Sequence, residues 1–395
     1  MMKLQLYRPR KANGLQAIMI KILHIITDKN IGGAGHQLLA LINAADTTKY
    51  NIEVILPEGS QVAPLLAERG ITYHEAPYIA EKSFSFAGIK ILRKMIKLLK
   101  PDIVHTHGSL SGRIAAKLYR RTKVVHTRHS VFPVPARLKI FPIKQLSGLL
   151  NNTLSDMIIA VSPAAKENLL DMGTANKKIR TIFNGTPPAK TYNPEETKLL
   201  KQKYNIPTDV FVLAIMARLA EVKGHDDILD AAKIVPEALI LVAGNDGDGT
   251  SKRQAHLEKR IANEGIANVK LLGFIEEVNE IIATSSALLN ASFGTEASSM
   301  SLIQGMSAGR PAVATDYGGN PYVVTDGVNG LITPTRNPQA MADAIKRLMS
   351  EPGLYQQLSE GARKSYAERF TDKKMASDTE GVYNELMEME GEKHA

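Results

Sequence analysis

The 395-residue sequence contains no cysteine and no tryptophan, and only 5% of its residues are aromatic. Without cysteine the chain cannot form disulfides, use a thiol nucleophile or bind zinc through thiolates. Few aromatic side chains are present to stack on bases, so we expect no nucleic-acid partner. No apolar run approaches the roughly 20 residues that a membrane-spanning helix needs. These absences are consistent with a globular protein in a reducing compartment such as the cytoplasm.

Charge is divided unequally along the chain. Residues 1–190 contain 28 Lys or Arg against 11 Asp or Glu, whereas residues 191–395 contain 21 against 29. The first half therefore carries +17 and the second −8. A basic half favours an anionic partner, and we expect a membrane surface or a lipid-linked substrate. The alternative is a solvated basic face with no partner.

Residues 1–18 are predicted to be a basic extension, because they contain no acidic residue and no clear periodicity. A basic start before the apolar residues 15–27 is similar to a signal peptide. Gln16, Lys21 and His24 interrupt that run, however, and no small-residue cleavage site follows. We therefore expect a cytoplasmic protein rather than a secreted one.

Short β-branched segments alternate with helical periodicities along the rest of the chain. This pattern is typical of parallel sheets covered on both faces by helices. Two successive series of about six strands predict an α/β protein with two doubly wound, Rossmann-like domains. The predicted strands are Ile22–Thr27, Ile52–Leu56, Ile103–His107, Val124–Thr127, Met157–Val161 and Arg180–Phe183, then Phe211–Ala217, Ala238–Ala243, Val269–Leu272, Ala287–Ala291, Ala312–Asp316 and Gly330–Thr333.

The domain boundary is predicted within Asn184–Pro207, where one glycine and four prolines break regular structure. This places the first domain at residues 19–190 and the second at residues 191–370. Residues 371–395 are predicted to form a helix that crosses back to the first domain. In open parallel sheets, ligands bind beyond the carboxyl ends of the strands. We expect the two sheets to face each other, so that both sets of strand-end loops line one cleft and the site lies there.

A glycine-rich loop follows the first predicted strand, and its helix is predicted to begin near His36. Glycine lets the backbone approach a ligand closely, and a helix start offers N–H groups to a phosphate. The spacing in residues 28–35 is not that of the GxGxxG dinucleotide fingerprint. The alternative is a tight turn that binds nothing.

Histidines end two strands of the first domain, at His105, His107, His126 and His129. Such a group could suggest zinc. In a strand, however, His105 and His107 share a face whereas His126 and His129 do not, and no cysteine or nearby acid completes a ligand set. We predict no metal, and we expect His129 to be a polar contact at the end of its strand.

Arg218 and Lys223 flank the turn after the first strand of the second domain. A bidentate guanidinium, an ammonium and a helix start together are what a pyrophosphate requires. The alternative is a pair of ordinary surface charges. The loop at residues 244–249, GNDGDG, is similar to a DxD metal motif, but its glycines favour a flexible strand-end loop.

The stretch Phe293–Asn320 carries the densest pattern. Glu296 ends a loop, and Ser298 and Ser299 are good N-cap residues for a helix predicted at Met300–Ala308. The amides at that helix start would form a second anion site.

Together these motifs resemble glycosyltransferase family 4, the retaining, nucleotide-sugar-dependent enzymes of GT-B architecture. The resemblance covers about Ile22–Tyr383 and includes PDIVHTHG at 101–108 and AVSPAAKENL at 160–169. It implies transfer of a sugar from a nucleotide-sugar, a UDP-sugar ahead of a GDP-sugar. The implied acceptor is a cell-envelope polysaccharide, lipopolysaccharide or lipid-linked glycan. It also implies retention at the anomeric carbon without a metal or other cofactor.

The resemblance also implies roles for individual residues. Glu296 and His129 would contact the donor sugar, and Arg218 and Lys223 would stabilise the leaving diphosphate. Gln304 would face the ribose. Contacts to the donor would come from Gly33, Gly244, Phe274, Ile275, Ala297, Ser298, Ser299 and Gln304.

The chain departs from the family pattern at position 304, where the family has a second Glu and this sequence has Gln304. A carboxylate accepts two charge-assisted hydrogen bonds from a ribose diol, whereas a glutamine amide offers one neutral acceptor. The replacement is expected to cost about 1–2 kcal/mol of nucleotide binding free energy. Two alternative functions stay open: a GT-B nucleotide-sugar epimerase, and a nucleotide-binding scaffold that has lost turnover.

Two amphipathic segments of the first domain are candidates for acceptor or membrane contact. The helix predicted at Ile89–Lys100 has an apolar stripe that packing on its own sheet also explains. In Val131–Lys144, apolar side chains interleave with the basic residues Arg137, Lys139 and Lys144. We expect these three basic residues to contact a lipid-linked acceptor or an anionic membrane. The protein is therefore expected at the inner face of the membrane.

Overall fold

The computed structural model describes residues 19–133, 140, 142–247 and 249–394. The chain divides into two compact units. The first comprises the described residues up to His129, Pro133–Gly185 and the segment from Asp372 onward. The second comprises Ser130–Phe132 and Thr186–Thr371. Each unit is built on its own parallel sheet.

The first unit contains a seven-stranded parallel sheet in the order β3-β2-β1-β4-β5-β6-β7. Its central strands are almost entirely buried, which explains their continuous apolar sequence. The strands are β1 (Ile20–Ile26), β2 (Tyr50–Pro57), β3 (Thr72–Ala76), β4 (Ile103–His107), β5 (Lys123–Arg128), β6 (Met157–Ala160) and β7 (Ile179–Thr181).

Helices cover both faces of this sheet. They are α1 (Gly33–Ala44), α2 (Val62–Glu68), α3 (Phe86–Leu99), α4 (Leu110–Tyr119), α5 (Ile143–Leu154) and α6 (Pro163–Asp171). The apolar stripe of α3 is buried at Leu92, Met95 and Ile96, so packing on its own unit accounts for it.

The second unit contains a six-stranded parallel sheet in the order β10-β9-β8-β11-β12-β13. The strands are β8 (Phe211–Met216), β9 (Ala238–Ala243), β10 (Val269–Gly273), β11 (Ala287–Asn290), β12 (Ala312–Thr315) and β13 (Gly330–Thr333). The helices are α7 (Pro194–Lys203), α8 (His225–Ile234), α9 (Lys252–Glu264), α10 (Val278–Thr284), α11 (Met300–Ser307), α12 (Asn320–Val323), α13 (Pro338–Ser350) and α14 (Pro352–Arg369).

The last helix, α15 (Asp372–His394), packs on the first unit. Its residues Met375, Val382, Tyr383 and Leu386 are buried together with residues of β1, β4 and β5. The helix therefore supplies part of the first unit's core. Among the described residues, none of the helices combines the length and the apolar character that crossing a bilayer requires.

The predicted fold class, two doubly wound α/β domains, is confirmed. The bounds of β4, β9 and β13 agree with the predicted strands to the residue. One strand, β3, was not predicted, because its sequence TYHEA is polar. It lies at the edge of the sheet, where His74 is buried against Glu53 of β2 at 2.6 Å. The prediction that the first helix begins near His36 is also wrong, since α1 begins at Gly33.

Candidate functional site

The candidate donor site lies at the carboxyl edge of the second sheet, where the loops after β8, β11 and β12 meet. The N–H of Phe293 donates to the carbonyl of Val222 at 2.9 Å, and the N–H of Gly319 donates to the carbonyl of Glu296 at 2.9 Å. A Cβ at Gly319 would collide with the carbonyl oxygen of Ala297. Glycine is therefore required there for the two loops to approach each other.

Glu296 and Lys223 form an ion pair at the centre of this edge. The Lys223 Nζ lies 2.9 Å from Glu296 Oε2 and 3.1 Å from the carbonyl oxygen of Thr295. The same oxygen, Oε2, accepts hydrogen bonds from Asn290 Nδ2 at 3.0 Å and Ser292 Oγ at 3.2 Å. Glu296 is only 8% exposed. Among the described residues no hydrogen bond engages Oε1, so this oxygen is left to contact a ligand.

Arg218 follows β8 and is exposed. Its aliphatic stem lies beside Gly247 in the loop after β9. Within the described part of the chain, its guanidinium forms no ion pair, and no contact joins it to Lys223 or Glu296. The structure thus brings Lys223 and Glu296 together and leaves the Arg218 charge available at the same edge of the sheet.

The start of α11 offers backbone amides beside Glu296. Ser299 occupies the N-cap, but its hydroxyl caps no backbone N–H of the helix and instead lies 3.2 Å from the Ser301 hydroxyl. The expected side-chain cap is therefore not formed. Ala297 and Ser298, which precede the cap, are buried at 3% and 7% exposure. Amides that no cap side chain accepts are available to an anion.

Gln304 lies on α11, and its Nε2 donates to Asn279 Oδ1 at 3.1 Å. Asn279 is itself held by donation from Lys190 N at 3.1 Å and by its own donation to Glu277 at 2.7 Å. A glutamate at 304 would therefore face the carbonyl oxygen of Asn279. Sequence reasoning identified the substitution but not this contact, because Asn279 is 25 residues away on α10.

Phe274 and Ile275 follow β10 at the same edge. The Phe274 ring is 59% exposed, whereas Ile275 is half-buried. The preceding Gly273 accepts a hydrogen bond from the N–H of Gly244 at 2.7 Å. Gly244 has φ 149°, and a Cβ there would collide with the carbonyl oxygen of Ala217. An exposed ring beside a tightly packed backbone suits contact with a flat ligand group.

The acidic residue Asp246 has a structural role in the loop after β9. Its carboxylate accepts from the N–H groups of Arg253 at 2.7 Å and Gln254 at 3.1 Å. It therefore caps the first turn of α9 rather than standing free for a metal. Asp248, the other acid of the DxD-like sequence, lies outside the described residues.

The predicted site residues of the first unit lie at the start of α1 and the end of β5. Gly33 is exposed at the first position of α1, and a Cβ there would meet nothing within 4 Å. The first turn contains no acidic residue. His129 follows β5 and is half-buried. Neither packing nor a positive φ requires glycine at position 33. Because glycine has no side chain, this residue leaves open space at the start of the helix.

A hydrogen-bonded row of imidazoles supports His129. Its Nε2 lies 2.9 Å from His107 Nδ1, and His107 Nε2 lies 3.0 Å from His24 Nδ1. Burial lowers the pKa of His129 to about 4 and that of His24 to about 3, and it lowers the pKa of His107 well below its usual range. All three rings are therefore neutral near pH 7. Sequence reasoning missed His24, although the register of parallel β1 and β4 pairs it with His105.

His24, His105 and His107 form a second grouping that has the spacing of a cation site, since nitrogens of the three rings lie within 4.8 Å of one another. Five of the six ring nitrogens already have hydrogen-bond partners. Those of His105 contact the Tyr383 hydroxyl at 2.6 Å and the Thr127 hydroxyl at 2.7 Å. We therefore interpret the group as a hydrogen-bonded cluster. His126 lies apart and contacts the Thr106 hydroxyl at 3.2 Å.

Helix α5 packs on the first unit through its polar face. Gly148 contacts Gly173 so closely that a Cβ would collide with the Gly173 carbonyl. Asn151 accepts from Arg113 at 3.0 Å and donates to Thr174 at 3.2 Å. The outward face carries the exposed side chains Ile143, Leu146, Leu149 and Leu150. Lys144 is half-buried in the first turn, whereas Arg137 and Lys139 lie outside the described residues.

Comparisons with known proteins identify the families that this chain matches. Residues 31–190 match the family Glycosyltransferase Family 4, and residues 196–365 match the family Glycosyl transferases group 1. EpsD of Bacillus subtilis is 28% identical over 315 residues, which cover 76% of this chain and 80% of EpsD.

Solved structures share the fold. A glycosyltransferase from Rickettsia africae superposes with a TM-score of 0.80 at 21% identity, covering 94% of this chain and 99% of that one. HepE of Anabaena, determined in complex with UDP-glucose, superposes with a TM-score of 0.78 at 20% identity, covering 93% of this chain and all of HepE. Each matches across both units.

Proposed function

Because this chain belongs to the family 4 glycosyltransferases of GT-B type, we propose that it transfers a sugar from a UDP-sugar to an acceptor hydroxyl with retention and without a metal ion. The observation that carries the proposal is the ion pair between the buried Glu296 and the half-buried Lys223. It leaves one carboxylate oxygen for the sugar beside the uncapped amides of α11 for the diphosphate. UDP is favoured because HepE was crystallised with UDP-glucose.

The proposed reaction breaks the bond between the anomeric carbon and the diphosphate oxygen. The acceptor hydroxyl oxygen forms the new bond on the same face of the sugar, and its proton passes to the departing phosphate oxygen. The products are the glycoside and UDP. Charge that develops on the diphosphate would be stabilised by Arg218, by the remaining N–H of Lys223 and by the α11 amides, so no metal is needed.

The donor contacts follow from the same edge of the sheet. Glu296 Oε1 would accept from a sugar hydroxyl, and Phe274 with Ile275 would lie against the uracil. Gln304 would contact the ribose through its carbonyl oxygen, since its Nε2 is already used by Asn279. The resemblance to the family also assigns His129 and Gly33, which belong to the first unit, to the donor.

We further propose that the acceptor is presented at an anionic membrane, on which α5 docks. The orientation of α5 supports this, because its polar face packs inward and its exposed leucines have no partner among the described residues of the unit. Leu146 is 68% exposed and Leu149 is 58% exposed. The proposed occupant is the lipid surface itself rather than a protein.

The charge around α5 favours anionic lipid. Between Asp102 and Asp156 the chain has no acidic residue and nine Lys or Arg residues. Helices α3, α4 and α5 are neighbours in one layer, and α3 exposes Lys90, Lys94 and Lys97. Each such cation near an anionic surface contributes about 1 kcal/mol.

Thermal-shift measurements with UDP, UDP-sugars and GDP-sugars test the donor site. We expect stabilisation by uridine nucleotides that EDTA does not remove and that Arg218→Ala abolishes. Arg347→Ala is a matched control, because this exposed arginine lies on α13 in an ion pair with Glu351. Strict dependence of binding on a divalent metal would overturn the metal-free mechanism.

Product analysis by NMR distinguishes the activities. A transferase releases UDP and leaves a new glycoside of retained configuration when an acceptor is present. An epimerase would interconvert UDP-sugars without releasing UDP. A scaffold would bind UDP-glucose and show no donor hydrolysis on prolonged incubation.

Sedimentation with vesicles tests the membrane surface. We expect binding to phosphatidylcholine mixed with phosphatidylglycerol and little binding to phosphatidylcholine alone. The double variant Leu146→Ser, Leu149→Ser should bind roughly 30–100-fold more weakly, because two leucines about two-thirds exposed would lose their apolar contact with lipid. Leu199→Ser is the control, since this leucine is 63% exposed in the second unit. Equal binding of all three proteins would refute the docking face.

A further inference from the structure

The row of buried imidazoles behind His129 has a direction that the hydrogen bonds themselves determine. His107 stands in the middle, with Nδ1 toward His129 and Nε2 toward His24. A neutral imidazole has one N–H donor and one acceptor nitrogen. His107 must therefore donate to one neighbour and accept from the other, so only two arrangements of the three protons exist.

In one arrangement the protons point inward. His129 would donate to His107, His107 would donate to His24, and His24 would keep its proton on Nε2. That nitrogen is buried without a hydrogen-bond partner among the described residues. Buried N–H groups without acceptors are rare because they lose their hydrogen bonds to water. This arrangement is therefore disfavoured.

In the other arrangement the protons point outward. His24 donates from Nδ1 to His107, and His107 donates from Nδ1 to His129 Nε2. The partnerless Nε2 of His24 is then an acceptor lone pair, which is tolerated better than a buried donor. His129 is left with its proton on Nδ1, the ring nitrogen that no hydrogen bond engages within the described part of the chain.

We propose that His107 and His24 are positioning residues that hold His129 as the Nδ1–H tautomer, so that it presents a hydrogen-bond donor to an oxygen of the donor sugar. This inference rests on the proposed function for the contact between His129 and the sugar. The assignment of the tautomer itself rests only on the hydrogen bonds. Neither His107 nor His24 is expected to touch the ligand.

The stacking of the rings supports a fixed orientation. The centroids of His107 and His129 lie 5.1 Å apart at 24° between planes, and His105 stacks on His107 at 4.6 Å and 23°. His105 is itself held by the Tyr383 hydroxyl of α15. Among the described residues, Arg128 and His126 are further charged or titratable groups near the row, and Arg128 adds to the effect of burial in lowering the pKa of His129.

Nitrogen-15 NMR of histidine-labelled protein at neutral pH tests the tautomers directly. We expect protonated Nδ1 on His24, His107 and His129. Free neutral histidine favours the Nε2–H form, so this result would not arise by default. A protonated Nε2 on His129 in the unmodified protein would overturn the proposal.

The variant His107→Phe should release His129 to the Nε2–H form, while His107→Asn should restore the Nδ1–H form because its amide can donate near the position of Nδ1. His126→Phe is the matched control, since it removes a buried histidine of the same sheet that is outside the row. If His107→Phe does not fold, the spectra of the unmodified protein still decide the direction. An unchanged His129 tautomer in folded His107→Phe would also contradict the proposal.

Binding of UDP-glucose and of UDP separates positioning from structural damage. His107→Phe should weaken the binding of UDP-glucose by about tenfold, which is the value of one hydrogen bond, and should leave the affinity for UDP unchanged. His126→Phe should leave the ratio of the two affinities unchanged. Equal weakening of both ligands by His107→Phe would refute the positioning role. If the unmodified protein binds neither ligand, the proposed function fails while the NMR result still decides the tautomer.

Discussion

Replacing Gln304 by glutamate should have opposite effects on stability and on nucleotide affinity. In the protein as it stands, Gln304 Nε2 donates to Asn279 Oδ1 at 3.1 Å. Gln304→Glu removes that donor and points a carboxylate at an oxygen that already accepts from Lys190 N. Asn279 cannot turn its amide toward the new carboxylate without losing its bond to Glu277.

The cost to the ligand-free protein is about 1 kcal/mol, the net value of one neutral hydrogen bond. For a unit of this size that corresponds to a melting temperature lower by roughly 2–4 °C. The gain on binding has the opposite sign. A carboxylate would accept from both ribose hydroxyls, which is worth about 1–2 kcal/mol, or roughly 5–30-fold in affinity for UDP.

The assay is a melting curve with and without UDP, combined with calorimetric titration. We expect Gln304→Glu to melt earlier without ligand and to be stabilised more by UDP than the unmodified protein. Gln339→Glu is the matched control, because Gln339 on α13 also donates to an acceptor, Asp343, at 2.9 Å. It should lose stability without any change in UDP affinity.

Weaker UDP binding by Gln304→Glu would refute the reasoning. It would show that the nucleotide does not donate to position 304, and the assignment of this helix to the ribose would fail. Unchanged binding in both Gln304→Glu and Gln304→Met would have the same consequence.

Two further predictions concern buried charge. Lys223→Met leaves the carboxylate of Glu296 without its cation, so the free energy of unfolding should fall by about 2–3 kcal/mol, which is below the full cost of breaking a deeply buried pair. Adding Glu296→Gln to the same chain should recover part of that loss. No recovery in urea unfolding would contradict the pairing. Burial lowers the pKa values of His24 and His129 to about 3 and about 4, so the unfolded chain binds more protons than the folded one below pH 6.5. The free energy of unfolding should therefore fall as pH drops from 6.5 toward 4. His24→Phe should reduce the slope of this free energy against pH by about 1.4 kcal/mol per pH unit. An unchanged slope would contradict burial of a neutral His24.

The sequence pattern predicted most strands because they are central and apolar. Ile103–His107 and Ala238–Ala243 are buried on both faces, and such runs differ clearly from their surroundings. The edge strand β3 escaped prediction because its sequence is mostly polar and one of its two buried positions is a histidine. His74 is held by Glu53, which also pairs with Lys21 at 2.6 Å, and this arrangement depends on three strands that are distant in sequence.

The candidate site was predictable only where local patterns carry chemistry. Glu296 and Lys223 stand at loop positions that the sequence alone marks, and the structure adds their direct contact. His24 was not predictable as a site neighbour, because a histidine inside an apolar strand has no local signal of its partner. Its contact with His107 arises from the pairing of β1 with β4, which are about 80 residues apart.

The reversed amphipathicity of α5 also lay beyond sequence reasoning. Its apolar stripe of Ile143, Leu146 and Leu150 has the spacing of a core-facing helix. The structure instead buries Gly148, because only a residue without a side chain can approach Gly173 so closely. Which face of an amphipathic helix turns inward depends on what it meets, and that partner is set by tertiary structure.

The position of α15 has a consequence for synthesis of the chain. Met375, Val382 and Tyr383 are buried with β1, β4 and β5, so the N-terminal sheet reaches its finished core only when the last residues are added. At ribosomal speeds of about 5–20 residues per second, roughly 10–40 s separate emergence of β7 from emergence of α15. During that interval the nascent chain exposes an apolar sheet face that it must keep from aggregating.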